Sequence, residues 1–113
     1  MPDLSPAFPL AWSSEQLAGT RTVIVAVTGE LDRHTSPALR DHLYWWLGSG
    51  CDRLVLDTGS VTFADVGAVD LLRAIGGRAA GRGCRVVLAS TGPSVQRLVR
   101  LLGPPDGIDL ERW

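Results

Sequence analysis

The sequence predicts an α/β fold in which a small, mainly parallel β-sheet is flanked by helices. Three short segments, residues 22–28, 53–57 and 85–89, have the continuous apolar character of strands that are covered on both faces. Apolar residues recur at helical spacing in the segment that follows each of them. Strands that alternate with helices pair in parallel through right-handed crossovers, so the order β-α-β-α-β-α predicts one sheet with helices packed on it.

The first strand and the first helix have recognisable ends. Gly29 is expected to end the strand at 22–28. Ser36 is a favourable N-cap, and Pro37 suits the first position of a helix that Gly48 should end. The apolar stripe of this helix comprises Leu39, Leu43, Trp46 and Leu47, while Tyr44 and Trp45 fall off it and are left open to an interface or to packing at the sheet edge.

The second and third helices are delimited in the same way. Asp65 is expected to cap the second helix, which Gly81 and Gly83 should close. The Gly-Pro pair at 92–93 is expected to open the third helix, and Gly103 to end it. The predicted apolar stripes are Ala68, Leu71, Leu72, Ile75 and Ala79 in the second helix, and Val95, Leu98, Val99 and Leu102 in the third.

The length of 113 residues predicts a single domain. Residues 1–20 are expected to form an irregular arm with a weakly indicated edge strand at 10–13, and the tail at 106–113 is too short to assign. The side chains predicted to be buried include Val25, Leu56, Leu72, Val87 and Leu98.

The composition argues against several classes of partner. The formal net charge is -1, which gives no sign of nucleic-acid or membrane-surface binding. No apolar run approaches the roughly 20 residues that cross a bilayer, and the N-terminus lacks a signal-peptide pattern, so we expect no membrane insertion and a cytoplasmic location. Lys and Asn, which have A-rich codons, are absent, and this indicates a GC-rich bacterial source.

Motifs for catalysis or cofactor binding are missing. The sequence has no G-x-S-x-G, no phosphate-binding Gly-rich loop with Lys and no H-E-x-x-H, and its two histidines and two cysteines lack zinc spacing. We therefore expect no enzyme activity, no cofactor and no metal, with His34 a solvated turn residue. Cys51 and Cys84 each precede a predicted strand, which would bring them to the same end of the sheet. Two inert thiols are favoured there over a redox switch.

Five segments resemble those of a known family. Residues 27–32 read Val-Thr-Gly-Glu-Leu-Asp and are similar to the V-x-G-E-L-D opening of STAS domains. Segments similar to later parts of the family follow in the family's order at 38–40, 54–57, 61–65 and 94–98. The chain is thereby identified as a member of the STAS domains of the anti-sigma-factor-antagonist type, and the resemblance runs from about residue 22 to residue 103.

The resemblance implies a non-enzymatic regulator that binds an anti-sigma factor, itself a protein kinase, and so releases a sigma factor. In the family, phosphorylation of a serine in the motif D-S-[ST]-G at the start of the second helix ends the binding. Residues 65–68 read Asp-Val-Gly-Ala here, so Gly67 stands at the phosphoacceptor position without a hydroxyl. Binding that is not switched at this position is therefore expected. The alternative is an accessory STAS subunit of a lipid-transporting ABC system that contacts an ATPase, and homodimer formation is left open.

The resemblance also implies where a partner would bind. The loop after the first main strand and the start of the second helix should form the contact surface. Asp65 has a sufficient structural role as a helix cap, which does not exclude partner contact. Gly67 fits either drift at a tolerant position or close approach by a partner, and phosphorylation of Thr62 or Ser60 is left open. The expected partner-binding residues are Glu30, Asp32, Arg33, Thr62, Asp65, Val66, Gly67 and Asp70.

Overall fold

A computed structural model describes residues 9–111; the predicted irregular segment before residue 9 and the last two residues of the tail lie outside them. Within these residues the strands form one sheet in chain order, in which the first strand is antiparallel to the second and the other neighbours are parallel. The predicted α/β class with a mainly parallel sheet is confirmed. The elements in chain order are β1 (Leu10–Gln16), β2 (Thr22–Leu31), α1 (Ser36–Gly48), β3 (Arg53–Ala64), α2 (Val66–Ala80), β4 (Arg85–Thr91), α3 (Pro93–Leu102) and β5 (Ile108–Leu110).

The three helices lie on one face of the sheet. The strand order follows the chain order, so right-handed crossovers bring each helix back to the same side, and α2 contacts both α1 and α3. In β2 the side chains of Val23, Val25 and Val27 are buried, whereas those of Ile24 and Ala26 are only half-buried. The continuous apolar run predicted strands covered on both faces, but within residues 9–111 the second face of β2 is only half-buried.

The strands predicted at 10–13, 22–28, 53–57 and 85–89 are all longer in the structure, and Gly29 does not end β2. The backbone passes through Gly29 with a φ of 108° and continues to Leu31. A Cβ at this position would overlap the carbonyl oxygen of Pro9, which accepts a hydrogen bond of 2.8 Å from the backbone N–H of Glu30. Glycine is thus needed for close approach inside the strand and for the register irregularity that follows it. β3 likewise extends beyond the predicted 53–57, as far as Ala64.

The predicted helix starts are correct to within one residue. Asp65 caps α2 as predicted, and its carboxylate accepts a hydrogen bond of 2.7 Å from the backbone N–H of Gly67. The N-cap of α1 is Thr35, and Ser36 is the first helical residue with a buried side chain, so the expectation that Ser36 caps the helix is wrong. Ser36 is not the N-cap because Thr35, one residue earlier, closes the preceding turn through its hydrogen bonds with Asp32.

The edge strand and the short tail strand flank the sheet. The weakly indicated edge strand at 10–13 exists and is longer, since β1 covers seven residues. The unassigned tail contributes β5, which pairs in parallel with β4. None of the helices within residues 9–111 is long and apolar enough to cross a membrane.

The core lies between the sheet and the helices. Val25, Leu56, Leu72 and Val87 are buried as predicted, but Leu98 is only half-buried. α3 contacts the sheet through Val95 and Val99, and its last turn leaves Leu102 half-exposed, so the predicted stripe is narrower than four residues. The stripe of α2 is buried as predicted along its whole length, at Ala68, Leu71, Leu72, Ile75 and Ala79.

The aromatic run on α1 lies at the margin of the core. Trp46 was expected inside but is half-buried, because it packs beside His42 toward β1 instead of beneath the sheet. Trp45 is 64% exposed and contacts Trp46 edge to face at 4.8 Å between ring centroids. Tyr44 is half-buried beneath the guanidinium of Arg78, 3.7 Å from the ring centroid, which is a cation–π contact between α1 and α2.

His42 joins β1 to α1 through a hydrogen bond whose direction is fixed. Its Nε2 lies 2.5 Å from the hydroxyl oxygen of Ser14 and 3.2 Å from the indole nitrogen of Trp46. Because an indole N–H can only donate, Nε2 is the acceptor and the proton of the neutral ring sits on Nδ1. Burial lowers the pKa of His42, which favours this neutral form.

The lowered pKa of His42 predicts an acid-sensitive contact between β1 and α1. In the unfolded chain His42 binds a proton near its ordinary pKa of about 6.5, and in the folded chain it does so only at lower pH. Its contribution to the free energy of unfolding is therefore complete above about pH 6.5 and is lost as the pH falls through the folded-state pKa. Melting temperatures of wild type and His42→Phe between about pH 7.5 and 5.5 should show a smaller acid loss in the variant. His34→Gln is the matched control and should keep the wild-type profile. An unchanged profile in His42→Phe would contradict the assignment.

Candidate functional site

The carboxyl ends of β2 and β3 bring two predicted segments together. In the parallel register Glu30 pairs with Phe63 and Leu31 with Ala64. The backbone N–H of Asp65 donates to the carbonyl oxygen of Leu31 at 3.3 Å. The loop at 30–35 therefore lies against the end of β3 and the first turn of α2. We call this region, residues 30–35 and 62–70, the candidate surface.

Gly67 lies at the centre of this contact and is buried. A Cβ built on it would stand 2.5 Å from the backbone nitrogen of Arg33 and 2.7 Å from the carbonyl carbon of Asp32. The space beside Gly67 is filled by the loop of the same chain. Gly67 is therefore not a position that tolerates substitution freely. It also leaves no room for the backbone of a partner, because a loop of the same chain already makes the close approach.

Asp32 and Thr35 hold the loop in this position. One carboxylate oxygen of Asp32 accepts hydrogen bonds from the backbone N–H groups of His34, at 2.8 Å, and Thr35, at 2.9 Å. The bond from Thr35 is the main cause that lowers the pKa of Asp32. The Thr35 hydroxyl accepts from the backbone N–H of Asp32 at 3.0 Å and donates to the carbonyl oxygen of Glu30 at 2.8 Å. Asp32 thus has a structural role that its place in the sequence did not reveal.

The exposed part of the candidate surface is apolar at its centre. Val66 in the first turn of α2 is 55% exposed, and Phe63 at the end of β3 is 49% exposed. Sequence reasoning included Val66 but missed Phe63. The predicted strand ends at residue 57, so no sequence pattern indicated that Phe63 would lie at the exposed end of β3. Exposed apolar side chains beside a helix start can contribute to a protein contact.

Charged and hydroxyl side chains surround this pair. Glu30, Arg33 and Thr62 are exposed, and so is Asp70, which forms an ion pair of 4.0 Å with Arg73. Such an exposed pair contributes little to stability, so these charges are available to a partner.

A cleft runs from the candidate surface between α1 and α2. It has a volume of about 210 Å³, and Gly67 and Asp70 lie on its α2 side. Arg33 and Arg40 line it as well, which gives it two guanidinium groups beside one carboxylate. The cleft can therefore accept an acidic or polar side chain of a partner through hydrogen bonds.

The hydroxyls of Thr62 and Ser60, which precede Gly67 in the sequence, and that of Ser94 lie outside the start of α2. The Thr62 hydroxyl donates to the carbonyl oxygen of Gly29 at 3.3 Å, and Ser60 is exposed farther back on β3. The hydroxyl of Ser94 in α3 donates to the carbonyl oxygen of Thr62 at 3.2 Å. None of these three hydroxyls lies in the first turn of α2, where Gly67 is found.

Comparison with solved structures shows the same fold. An anti-sigma factor antagonist from Mycobacterium paratuberculosis matches with a TM-score of 0.75 and 25% identity over 88% of this chain and 83% of that chain. The anti-sigma factor antagonist SpoIIAA in its unphosphorylated form matches with a TM-score of 0.73 and 19% identity over 90% of this chain and 89% of that chain. The Bacillus cell fate determinant SpoIIAA in the phosphorylated form gives 0.68 and 18% over 90% and 92%. The two SpoIIAA matches are likenesses of fold alone.

Sequence comparison identifies the family. No curated protein matches the chain significantly. The family model described as "Mlab, STAS domain" matches residues 15–106, which is most of the chain and includes the whole candidate surface. The chain therefore belongs to the STAS domain family.

Proposed function

We propose that the chain is a non-enzymatic regulator that binds and sequesters a kinase-type anti-sigma factor in the bacterial cytoplasm. The observation that carries the proposal is its likeness to an anti-sigma factor antagonist, with 25% identity and a TM-score of 0.75 over 88% of the chain. The exposed Phe63 and Val66 support a protein as the partner, since they lie together at one end of the fold.

The contact would be made by the exposed part of the candidate surface. Phe63 and Val66 would form its apolar centre, and Arg33 and Asp70 its charged rim. Asp32, Asp65 and Gly67 would act beneath them, since their polar groups or backbone already hold the loop at 30–35 against α2. For Asp32 and Gly67 this supporting role differs from the direct contact that was expected, and for Asp65 it agrees with the predicted role as helix cap.

The absence of a hydroxyl at residue 67 supports binding that is not ended by phosphorylation there. Phosphate in the first turn of α2 would add nearly two negative charges and considerable bulk to the partner-facing end. Gly67 has no hydroxyl oxygen that a kinase could phosphorylate, and the backbone of Arg33 fills the adjacent space.

Phosphorylation provides a direct test. Incubation of the chain with the co-purified kinase and ATP, followed by mass spectrometry, should show no phosphate in residues 65–68 and no release of the partner. Stoichiometric phosphate on Thr62 or Ser60 that releases the partner would overturn the unswitched model.

A second candidate is an accessory subunit of a lipid-transporting ABC system. The missing hydroxyl at residue 67 favours it, because a structural STAS subunit has no need of a phosphorylatable residue at that position. Affinity purification of the chain from its own cells, with identification of the bound protein, separates the two candidates. A kinase-type anti-sigma factor supports the proposal, and a transporter ATPase supports the alternative.

A further inference from the structure

The two cysteines of the chain meet at the end of the sheet opposite the candidate surface. Cys51 lies two residues before the start of β3, and Cys84 directly precedes β4. Their sulfur atoms are 3.6 Å apart. Both are only 7% exposed. The segments that carry them are fixed, because the backbone N–H of Arg85 donates to the carbonyl oxygen of Asp52 at 2.9 Å. The predicted proximity of the two thiols is thus confirmed.

The surroundings of the two sulfur atoms differ. Cys51 lines an open cleft of about 250 Å³ together with Trp45 and Trp46, and its thiol donates to the carbonyl oxygen of Trp46 at 3.3 Å. Its sulfur can therefore accept a hydrogen bond from Cys84. Burial first, and then this hydrogen bond and the charge of Cys51, raise the pKa of Cys84 to about 12. Of the two cysteines, Cys51 lines this cleft, while the raised pKa of Cys84 keeps its thiol protonated.

We propose that Cys51 and Cys84 are an oxidisable pair, in which a hydroperoxide oxidises Cys51 and Cys84 then closes a disulfide. The Cys51 sulfur attacks one peroxide oxygen, the O–O bond breaks, and the products are a sulfenic acid on Cys51 and water when the oxidant is hydrogen peroxide. The Cys84 sulfur next attacks the Cys51 sulfur, the S–O bond breaks, and the hydroxyl leaves as a second water with the Cys84 proton. Two thiols and one hydrogen peroxide thus give one disulfide and two water molecules.

The geometry suits this second step. The sulfur atoms must approach from 3.6 Å to a bond length of about 2.05 Å, a movement that side-chain rotation supplies between adjacent strands. The bridge would enclose β3 and α2, so it should stabilise the fold without reshaping the distant candidate surface.

The test uses the full chain, reduced and then treated with hydrogen peroxide. Mass spectrometry without reductant should show the loss of two hydrogen atoms and a peptide linking Cys51 to Cys84, and the melting temperature should rise by at least about 5 °C. Because the chain has only two cysteines, single substitutions are matched controls. Cys84→Ala should accumulate a sulfenic acid on Cys51 that reacts with a cyclic 1,3-dione. Cys51→Ala should leave Cys84 reduced, with oxidation at least about 10-fold slower.

Three results would overturn the proposal: two thiols that remain open to alkylation after unfolding in excess peroxide, equally fast oxidation of Cys84 in Cys51→Ala, or cross-links only between chains. Mass spectrometry of the peroxide-treated wild-type chain tests disulfide formation even if a variant folds poorly. The result does not depend on the proposed partner, so either idea can fail alone.

Discussion

Replacing Gly67 with alanine is expected to lower the free energy of unfolding by about 1–3 kcal/mol, although alanine is the better helix former. The added Cβ would stand 2.5 Å from the backbone nitrogen of Arg33, and backbone atoms cannot give way as the end of a flexible side chain can. Either the loop at 30–35 or the first turn of α2 must move. Urea denaturation of wild type and variant measures the loss.

A second glycine of the same helix provides the control. Gly77 is exposed and a Cβ on it would meet nothing within 4 Å, so Gly77→Ala should raise the free energy of unfolding by about 0.5–1 kcal/mol. The two substitutions are chemically identical and should have opposite signs. Equal effects would show that helix propensity, and not the packed loop, decides the outcome at residue 67.

The same overlap changes what a serine at this position can do. Gly67→Ser places the same Cβ against the loop and adds an oxygen, so it should be destabilised at least as much as the alanine variant. A kinase could reach that hydroxyl only if the loop moves away. We therefore expect the packing of this chain, and not only the identity of residue 67, to oppose phosphorylation at this position.

How far the sequence predicts this structure depends on the range of the interactions. Asp65 was assigned correctly because a helix cap is a local feature of a few neighbouring residues. The passage of β2 through Gly29 was missed, because its cause is the contact with Pro9 on the neighbouring segment. The proximity of Cys51 and Cys84 could be predicted, since parallel register alone places strand starts together.

The candidate surface was likewise predictable only in part. Its location follows from the rule that loops leave the carboxyl ends of parallel strands at one edge. The roles of its residues do not follow, because Asp32 and Gly67 are committed to a loop-to-helix contact that no local pattern encodes. Phe63 was missed because the predicted strand ends at residue 57, whereas β3 continues to Ala64 and leaves Phe63 half-exposed at its end.

The difference between residues that hold the loop and residues that are exposed decides which substitutions can test binding. Charge reversal at Asp32 or Asp65 removes the acceptor of structural backbone N–H groups, so it should disturb the loop or the helix start along with any contact. Val66 and Asp70 are exposed, and within residues 9–111 the Asp70 carboxylate is engaged only by Arg73. Effects at these two positions can be attributed to the surface itself.

Val66→Arg is expected to weaken binding of the anti-sigma factor by about 100-fold or more, while the melting temperature stays nearly unchanged. The side chain is 55% exposed, so an arginine extends into solvent in the free protein, but in the complex it would bring a buried charge into the apolar centre of the contact. Calorimetry with the co-purified partner measures the effect. Leu101→Arg is the matched control, since Leu101 on α3 is 72% exposed and lies outside the candidate surface, and it should bind as wild type does. Asp70→Arg should weaken binding by about 10-fold, with Asp41→Arg on α1 as its control at the same side-chain exposure of 73%. If Leu101→Arg loses binding and Val66→Arg retains it, the contact lies at α3 and the candidate surface is wrong.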